Sequence, residues 1–317
     1  MAELPAVLLT GVGYRHGRTP ALRDCSLSVP PGRVVGLIGP NGAGKTTLLH
    51  LMVGLLRPDR GEVRIFGREP GGDPAILDRV AFLAQDKPLY GSFTVAETMR
   101  LGRHLNSRWS DELAAERLGR LGIPADRPVR RLSGGQRSQV AITLAMAKRP
   151  DLMVLDEPLA DLDPLRRHEV MSDLMALTAE TGMTVVLSSH VVAELEETCD
   201  HLVLLGDGRV QLAGDLDEVR AGHHALSGPA SLVAALPDAG TVVHATRTGE
   251  HAGLLWRSDR PPPDPRWAVR TPAIGDIVLA YLRAPEASAL PRPTLLRQVS
   301  PGLRPVQTAP TASEESR

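Results

Sequence analysis

The chain has 317 residues, 42% of them hydrophobic and 23% charged, which is sufficient for one large domain with a buried core and one small domain. Its 36 basic and 37 acidic residues nearly cancel, and this balance argues against direct binding of nucleic acid or of an anionic lipid surface. Cys25 and Cys199 lack metal-ligand spacing, and no run reaches the roughly 20 apolar residues of a membrane span, so we expect a cytoplasmic protein without a spanning helix.

Short apolar runs alternate along the chain with longer amphipathic stretches, which is the pattern of an α/β domain with a mainly parallel sheet. The expected buried strands are Val34–Ile38, Val80–Leu83, Leu152–Leu155, Thr184–Ser188 and His201–Leu205. Gly206-Asp207-Gly208-Arg209 follows the last run and predicts a hairpin turn. Ligands of open parallel sheets bind at the carboxyl ends of the strands, so functional side chains are expected directly after these runs.

A glycine-rich segment follows the first of these strands. It reads Gly39-Pro40-Asn41-Gly42-Ala43-Gly44-Lys45-Thr46-Thr47 and precedes a helix expected over Thr47–Leu55. The segment fits the pattern G-x-x-x-x-G-K-[ST], in which glycines let backbone amides approach phosphate groups. Lys45 is expected to neutralise phosphate charge, and the Thr46 hydroxyl is expected to ligate Mg²⁺. The motif in this strand–helix context predicts a nucleotide-binding P-loop over Gly39–Thr47.

A helical pattern follows the strand Val80–Leu83. Thr94 is the expected N-cap of a helix over Val95–Leu101, and a second helix is expected near Asp111–Leu121. We interpret the region from about 86 to 150 as a helical insert between two halves of the nucleotide site. Gln85 stands where the strand passes into this insert, and its amide is expected to reach Mg²⁺ or water. A plain polar loop residue is the alternative.

A second glycine-rich element, Leu132-Ser133-Gly134-Gly135-Gln136, opens a helix inside the insert. A helix N-terminus offers unpaired backbone N–H groups and the positive end of the helix dipole to an anion. One ATP molecule needs only one phosphate cradle, which the P-loop already supplies. We therefore expect Ser133, Gly134, Gly135 and Gln136 to serve an ATP molecule held by a second copy of the chain.

Carboxylates and a histidine follow two further strands. Asp156 and Glu157 come directly after Leu152–Leu155, and His190 closes the run that begins at Thr184. Asp156 is expected to hold Mg²⁺, directly or through water, and Glu157 to polarise the attacking water. His190 is expected to hydrogen-bond the γ-phosphate and to hold that water in line. A solvated strand end and a structural histidine are the alternatives.

The composition changes after about Gly222. The proline-rich segment Arg260–Pro265 predicts a stiff linker. Strand-like pieces before it are Thr241–Ala245 and Gly253–Trp256. After it, Thr271-Pro272 predicts the start of a helix. One face of that helix carries Ile274, Ile277, Val278, Tyr281 and Leu282. The residues beyond Ala284 are rich in Pro, Ser and Thr, which predicts a disordered tail. The expected domains are residues 1–222, a small accessory region over 223–284 and the tail over 285–317.

The order of the P-loop, Gln85, Leu132–Gln136, Asp156-Glu157 and His190 resembles the ATP-binding subunit of ABC transporters. The resemblance covers about residues 8–214, and the Leu-Ser-Gly-Gly-Gln signature is its most specific motif. It implies a P-loop ATPase fold with a mainly parallel core sheet, an N-terminal antiparallel β subdomain and a helical insert, here with a small C-terminal α+β extension. It also implies that Ser133, Gly134 and Gln136 contact the γ-phosphate of ATP held by the opposite subunit.

By the same resemblance, Tyr14 occupies the position of the aromatic residue that stacks on adenine, and a ring face suits a purine face. An ordinary edge-strand tyrosine is the alternative. The sequence departs from the family's pattern at two places. Ala160-Asp161 stands before Leu162-Asp163 where the family has a serine or glycine and then a small residue. Arg137-Ser138-Gln139-Val140 replaces the common Arg-Gln-Arg-Val. Neither departure touches a phosphate-binding or water-activating position, so catalysis is expected to survive.

The resemblance implies an ATPase with ATP and Mg²⁺ as cofactors, peripheral on the inner face of the cell membrane, that powers separate membrane-spanning permease subunits. Because Glu157, His190 and the signature are intact, a homodimer with two competent sites is expected. The compact core and the predicted helix at Pro272–Leu282 favour export, as in bacterial drug and antibiotic exporters.

Two other functions remain open. One is an importer ATPase with a regulatory C-terminal region. The other is a soluble ABC ATPase that acts on ribosomes or DNA. Translation-type members of that class carry two cassettes in one chain and the DNA-repair type has long heptad stretches, and this sequence shows neither.

Overall fold

The structure, a computed structural model, describes residues 4–238, 240–262, 264–288 and 290. Within these residues the strands form three sheets. In chain order the strands are β1 (Val7–His16), β2 (Thr19–Val29), β3 (Val34–Ile38), β4 (Arg60–Ile65), β5 (Val80–Leu83), β6 (Leu152–Leu155), β7 (Thr184–Ser189), β8 (His201–Gly206), β9 (Arg209–Asp215), β10 (His223–Pro229), β11 (Thr241–Thr248), β12 (His251–Arg257) and β13 (Ala268–Arg270).

Helices connect many of these strands. In chain order they are α1 (Lys45–Met52), α2 (Pro74–Leu77), α3 (Val95–Leu105), α4 (Asp111–Leu121), α5 (Gly134–Ala147), α6 (Pro164–Thr181), α7 (Val192–Glu196), α8 (Leu216–Ala221) and α9 (Ile274–Arg283). Short 3-10 helical turns lie at Val129–Arg131 and Ala230–Ala235. Among the helices of the described ranges, none combines the length and the apolar character needed to cross a membrane.

The central sheet has six strands in the order β5-β6-β7-β3-β8-β9. The first five run parallel, and β9 pairs antiparallel with β8. All five predicted buried strands are found, with β7 and β8 one residue longer than expected. The predicted hairpin is found as well. Its residues Asp207 and Gly208 have left-handed φ angles of 46° and 70°, as a tight two-residue turn requires. The predicted α/β fold is confirmed, and the carboxyl ends of β6, β7 and β3 lie side by side.

The N-terminal residues form a three-stranded antiparallel sheet in the order β2-β1-β4, which is the expected β subdomain. Its buried apolar residues, among them Leu9, Leu27 and Ile65, share one core with α1 and with one side of the central sheet. This packing places the end of β1 beside the P-loop helix.

Helices α3, α4 and α5 lie within the predicted insert. Thr94 and Glu97 form the capping box that starts α3: Glu97 Oε2 accepts from the Thr94 N–H at 2.8 Å, and Thr94 Oγ1 accepts from the Glu97 N–H at 3.2 Å. The helix continues past its predicted end at Leu101 to Leu105, because its buried stripe continues through Gly102. A separate small core of Val95, Met99, Ala114, Ile123, Val140 and Ala147 holds the insert together.

The C-terminal region forms an antiparallel sheet in the order β11-β12-β10-β13. The predicted strand pieces lie inside β11 and β12, whereas β10 is missing from the predictions because its sequence ends in Gly228-Pro229. The proline-rich segment Arg260–Pro265 joins β12 to β13 within this one sheet, and its Pro263 lies outside the described residues.

Helix α9 packs against the larger region that precedes residue 222. It starts at Ile274, two residues after the predicted start at Pro272, and Tyr281 on its apolar face is fully buried in a core that also contains Leu195 and Val219. Gln211 Nε2, on β9, donates to the carbonyl oxygens of Tyr281 (3.1 Å) and Ala284 (3.3 Å). The division into domains at residue 222 therefore remains a prediction, and residues 291–317 of the predicted tail lie outside the described residues.

Candidate nucleotide-binding site

The P-loop turns tightly between β3 and α1. A Cβ at Gly39 would lie 2.2 Å from the Leu205 carbonyl oxygen, closer than any real side chain approaches. Gly44 has a φ of 103°, and a Cβ there would lie 2.7 Å from the Ala21 carbonyl oxygen. The backbone path therefore requires glycine at both ends of the loop. Helix α1 begins directly afterwards at Lys45, so its unpaired N–H groups face the loop.

Lys45 is buried, with 7% of its side chain exposed, and its ammonium group folds back onto the loop. Nζ donates to the carbonyl oxygens of Gly39 at 2.8 Å and Pro40 at 3.3 Å. It also lies 3.9 Å from Glu157 Oε1. These oxygen atoms hold the Lys45 ammonium group over the loop, where it could contact a bound anion.

Asp156 connects the end of β6 to the P-loop helix and to β7. Its buried carboxylate accepts from Thr46 Oγ1 at 2.7 Å and from Ser188 Oγ at 2.6 Å. Hydrogen bonds to a carboxylate are shorter and stronger than those between neutral groups. The Ser188 hydroxyl also accepts from the backbone N–H of Glu157 at 2.9 Å. Hydroxyl and carboxylate oxygens are the hard ligands that Mg²⁺ prefers, so Thr46 and Asp156 fit the predicted metal chemistry.

Glu157 adopts a left-handed backbone with φ of 45°. Such a conformation is unfavourable for a residue with a Cβ and persists where its surroundings hold it in place. Here the surroundings are the Ser188 hydroxyl, the Lys45 ammonium and His190, whose Nδ1 lies 3.3 Å from Glu157 Oε2. The carboxylate is thus held between two basic groups, one on the P-loop and one after β7. It is 14% exposed and the His190 side chain is 57% exposed, so solvent reaches this edge of the sheet.

Gln85 follows β5, the neighbour of β6. The backbone N–H of Asp156 donates to the Leu83 carbonyl oxygen at 2.8 Å, which places the two strand ends together. The Gln85 side chain itself is exposed. The structure brings this segment to the site, and the role of its amide as a metal or water ligand stays a prediction.

Two rings lie at the end of β1. The half-buried Tyr14 ring packs edge-to-face against His16, with 5.0 Å between ring centroids. His16 Nε2 in turn lies 3.1 Å from Oγ1 of Thr47, at the end of the P-loop. Sequence analysis missed His16, although alternate residues of a strand share one face. The adenine-stacking role of Tyr14 stays a prediction, and His16 is the ring that contacts the P-loop.

The signature element caps α5. Ser133 Oγ accepts from the Gln136 N–H, and Gln136 Oε1 accepts from the Ser133 N–H, both at 3.2 Å. This capping box leaves the Ser133 hydroxyl proton, the Gln136 side-chain NH₂ and the N–H groups of Gly134 and Gly135 as donors. Ser133 and Gly134 are exposed. The arrangement therefore presents several donors and a helix N-terminus to solvent, as phosphate binding requires.

The predicted residues thus fall into two groups. The P-loop, Asp156, Glu157 and His190 meet at one edge of the central sheet, with Gln85 beside them. Residues 133–136 lie on the insert, and no hydrogen bond or ion pair within the described ranges joins them to residues 39–47. Among the described residues, the two predicted phosphate-binding elements are thus not bonded to each other, which is compatible with the expectation of a second copy.

Ser188 is a further residue that sequence analysis passed over. Sequence analysis assigns Ser188 only to the strand that leads to His190. A polar side chain on an otherwise apolar, buried strand is the feature that could have identified it. In the structure it is 1% exposed and bonds to both predicted carboxylate residues, through the side chain of Asp156 and the backbone of Glu157.

Comparison with known proteins gives a consistent result. A family model described as ABC transporter matches residues 22–160. The chain is 36% identical to an uncharacterized ABC transporter ATP-binding protein of Nostoc sp., over 69% of this chain and 66% of that protein. It is also 36% identical to the Nod factor export ATP-binding protein I of Ralstonia nicotianae, over 66% of this chain and 67% of that protein. The matches thus span about two thirds of the length of these relatives.

A shorter relative is matched over nearly its whole length. The thiamine import ATP-binding protein ThiQ of Vibrio parahaemolyticus is 33% identical, over 68% of this chain and 94% of that protein. Among solved structures, a post-hydrolysis dimer of an ATP-binding cassette bound to ADP and Pi is 30% identical, with a TM-score of 0.60 over 66% of this chain and 98% of that chain. The likeness therefore holds for sequence and fold together.

Proposed function

Because this chain belongs to the ATP-binding subunits of ABC transporters, we propose that it hydrolyses ATP to drive transport through separate membrane-spanning subunits. The observation that carries the proposal is the network from Thr46 through Asp156 and Ser188 to Glu157 and His190. It gathers candidate metal ligands, a candidate general base and the predicted P-loop at one sheet edge. Phosphoryl transfer to water needs these parts: charge neutralisation, a held metal and an oriented nucleophile.

In this proposal the P-loop, Gly39–Thr47, binds the phosphates of ATP. Lys45 leaves its backbone carbonyl partners for the phosphates, because charged oxygens are the stronger acceptors. Thr46 and Asp156 hold Mg²⁺, and Gln85 completes the protein's share of its ligands. When bound, the metal supplies positive charge to the β- and γ-phosphates.

Glu157 is the general base of the proposed reaction. It takes the proton of the attacking water, while His190 hydrogen-bonds the γ-phosphate and keeps that water in line. The Ser188 hydroxyl positions the backbone of Glu157 through its 2.9 Å hydrogen bond. The donors of Ser133, Gly134 and Gln136 come from the opposite subunit.

Dimerisation follows from the separation of the two phosphate-binding elements. Two copies related by a twofold axis place each signature opposite the other copy's P-loop, and this closes two equivalent sites. ATP favours the closed dimer because it bonds to both copies only in that state. A solved relative forms a dimer with ADP and Pi, which supports the assembly. With Glu157, His190 and the signature all present, the proposed assembly is a homodimer.

The direction of transport does not follow from these residues. One relative is named for Nod factor export, and others are named for import of thiamine, of sulfate or thiosulfate, and of molybdenum. The expectation of export is therefore not confirmed, and import is equally well supported. We propose a position at the cytoplasmic face of the membrane, where the spanning partner sets the direction.

Glu157→Gln tests the proposed chemistry. The variant keeps the shape of the side chain and removes the base, so we expect ATP binding to persist and hydrolysis to fall by about 10²–10⁴-fold. Size-exclusion chromatography with ATP–Mg²⁺ should show it as a dimer. Glu180→Gln, which changes an exposed carboxylate paired with Arg149, is the matched control and should leave hydrolysis unchanged. Unchanged hydrolysis, or only monomer with ATP–Mg²⁺, for Glu157→Gln would contradict the proposal.

Two further experiments separate ATP binding from transport. Lys45→Ala should weaken the binding of a fluorescent ATP analogue, because the charge over the P-loop is lost. Affinity purification of the tagged chain from membranes should recover a multi-spanning protein. Recovery of ribosomes or DNA instead would favour the non-transport alternative.

A further inference from the structure

An ion pair between a buried lysine and a half-exposed aspartate links two loops near the site. The Lys87 side chain is 2% exposed, and its Nζ lies 2.6 Å from Asp161 Oδ2. Ser138 Oγ lies 3.3 Å from the same carboxylate oxygen and also donates to the Gly134 carbonyl oxygen at 3.0 Å. The Asp161 carboxylate therefore contacts both Lys87 and Ser138, which lies in the second turn of α5.

The pair lies between the Gln85 loop and the signature element. Lys87 lies two residues after Gln85, beside the P-loop site, and Asp161 lies four residues after Glu157. Asp161 also packs under the signature: a Cβ at Gly135 would lie 3.4 Å from its carbonyl oxygen, and one at Gly134 would lie 3.9 Å from its Cβ. The carboxylate therefore stands next to the first turn of α5.

A carboxylate at this place has an electrostatic consequence. The positive end of α5 attracts any nearby anion, so Asp161 competes with an incoming phosphate for it and repels that phosphate directly. Among the described residues, Lys87 is the cation that hydrogen-bonds to this carboxylate, and Arg137 acts on it electrostatically without a hydrogen bond. Its hydrogen bond lowers the pKa of Asp161, which keeps the carboxylate ionised and paired.

The backbone of Lys87 adds a second observation. Its φ is 47°, a left-handed conformation that disfavours a residue with a long side chain. Its N–H donates to the Ala84 carbonyl oxygen at 3.0 Å, which closes the turn around Gln85. The ammonium group reaches Asp161 from this tight turn.

We propose that Lys87 is a positioning residue of the composite ATP site: it neutralises Asp161 beside the signature helix, so that α5 can accept the γ-phosphate of ATP on the second copy. This inference rests on the proposed function. In this proposal Lys87 does not contact the ATP molecule bound at the P-loop of its own subunit.

A charge-rescue experiment tests the proposal. Lys87→Met keeps the length of the apolar stem and leaves Asp161 without its cation. We expect kcat for ATP hydrolysis to fall about tenfold, and ATP-dependent dimerisation in the Glu157→Gln background to need about tenfold more protein, because an unpaired carboxylate then occupies the positive end of α5. Monomer affinity for a fluorescent ATP analogue should stay within about twofold, since the P-loop is intact.

Rescue separates charge from packing. Adding Asp161→Asn to Lys87→Met removes the unpaired carboxylate and should restore kcat and dimerisation to within about threefold of wild type. Arg149→Met, which breaks the ion pair with Glu180 away from the site, is the control and should change neither. A double variant no better than Lys87→Met would overturn the proposal, and so would normal activity of Lys87→Met.

A folding defect and a failure of the proposed function can be distinguished from a failure of this inference. Should Lys87→Met fail to fold, by circular dichroism, Asp161→Asn alone decides, because its side chain is 47% exposed. In the Glu157→Gln background, Asp161→Asn should dimerise at least as well as Glu157→Gln alone. A tenfold loss of dimerisation would overturn the proposal. If Glu157→Gln alone does not dimerise with ATP, the proposed function fails and takes this inference with it. If it dimerises and Lys87→Met changes nothing, this inference alone fails.

Discussion

Ser188→Ala tests the proposed catalytic network by deleting one oxygen atom. The hydroxyl donates to Asp156 Oδ1 at 2.6 Å and accepts from the Glu157 N–H at 2.9 Å. A hydrogen bond to a charged group contributes about 1.5–3 kcal/mol, and a buried N–H without a partner costs about 1–3 kcal/mol. Because Ser188 is 1% exposed, water does not readily replace its hydroxyl group. We expect the free energy of unfolding to fall by about 3 kcal/mol, or about 5–10 °C in Tm.

The effect on hydrolysis should be larger than the effect on ATP binding. Glu157 keeps its left-handed backbone only while its contacts hold it, and a misplacement of about 1 Å costs about 100-fold in rate. We therefore expect kcat to fall about 100-fold in Ser188→Ala. The P-loop and the Thr46–Asp156 hydrogen bond remain, so affinity for ATP should change little.

Steady-state ATPase assays at saturating ATP–Mg²⁺ and urea unfolding measure the two effects. Ser107→Ala is the matched control, because it deletes an exposed hydroxyl that donates to the Asp78 carboxylate at 2.8 Å, away from the site. It should change kcat and stability only slightly. A Ser188→Ala enzyme with the kcat of wild type would refute the view that Ser188 positions Glu157.

Three further substitutions test other parts of the structure. Gly39→Ala should abolish ATP binding or folding, because the added methyl would lie 2.2 Å from a carbonyl oxygen; Gly72→Ala, where nothing lies within 4 Å, is the control in a fluorescent-ATP titration. His16→Ala should weaken ATP binding about tenfold, and more than Tyr14→Ala does, since His16 contacts the P-loop. A calorimetric titration in which Tyr14→Ala has the larger effect would contradict this prediction. Burial lowers the pKa of His223, so the unfolded chain binds more protons and the free energy of unfolding should fall as the pH drops below 6.5. Urea titrations at about pH 7 and pH 5 should show a smaller loss for His223→Asn than for wild type.

The elements that sequence analysis predicted correctly are those determined by residues close together in the sequence. The strand Val34–Ile38 is apolar throughout because it is covered on both faces, and the P-loop follows from glycines that only one backbone path accommodates. The hairpin at Asp207-Gly208 is equally local, because two left-handed residues suffice to define it. A short window of sequence contains all that these features need.

The contacts that sequence analysis missed join distant residues. Lys87 and Asp161 are separated by 74 positions, and Ser188 lies 32 positions from Asp156. No periodic pattern identifies such a partner, because the register of the parallel sheet decides which loop ends meet. Helix α9 shows the same limit: its apolar face was predicted, but its burial against α7 and β9 depends on tertiary packing.

The segment from Glu157 to Asp161 connects the two ATP sites of the proposed dimer. Its first residue touches Lys45 and His190 of its own site, and its last lies under the signature that serves the other. Turns with the hydrogen bonds Ala160 N–H to the Glu157 carbonyl and Leu162 N–H to the Leu159 carbonyl, at 3.3 Å and 3.0 Å, keep the segment short and stiff. If hydrolysis shifts Glu157, this segment would pass the shift to the carboxylate that Lys87 neutralises, and each site of the proposed dimer should then respond to the nucleotide in the other.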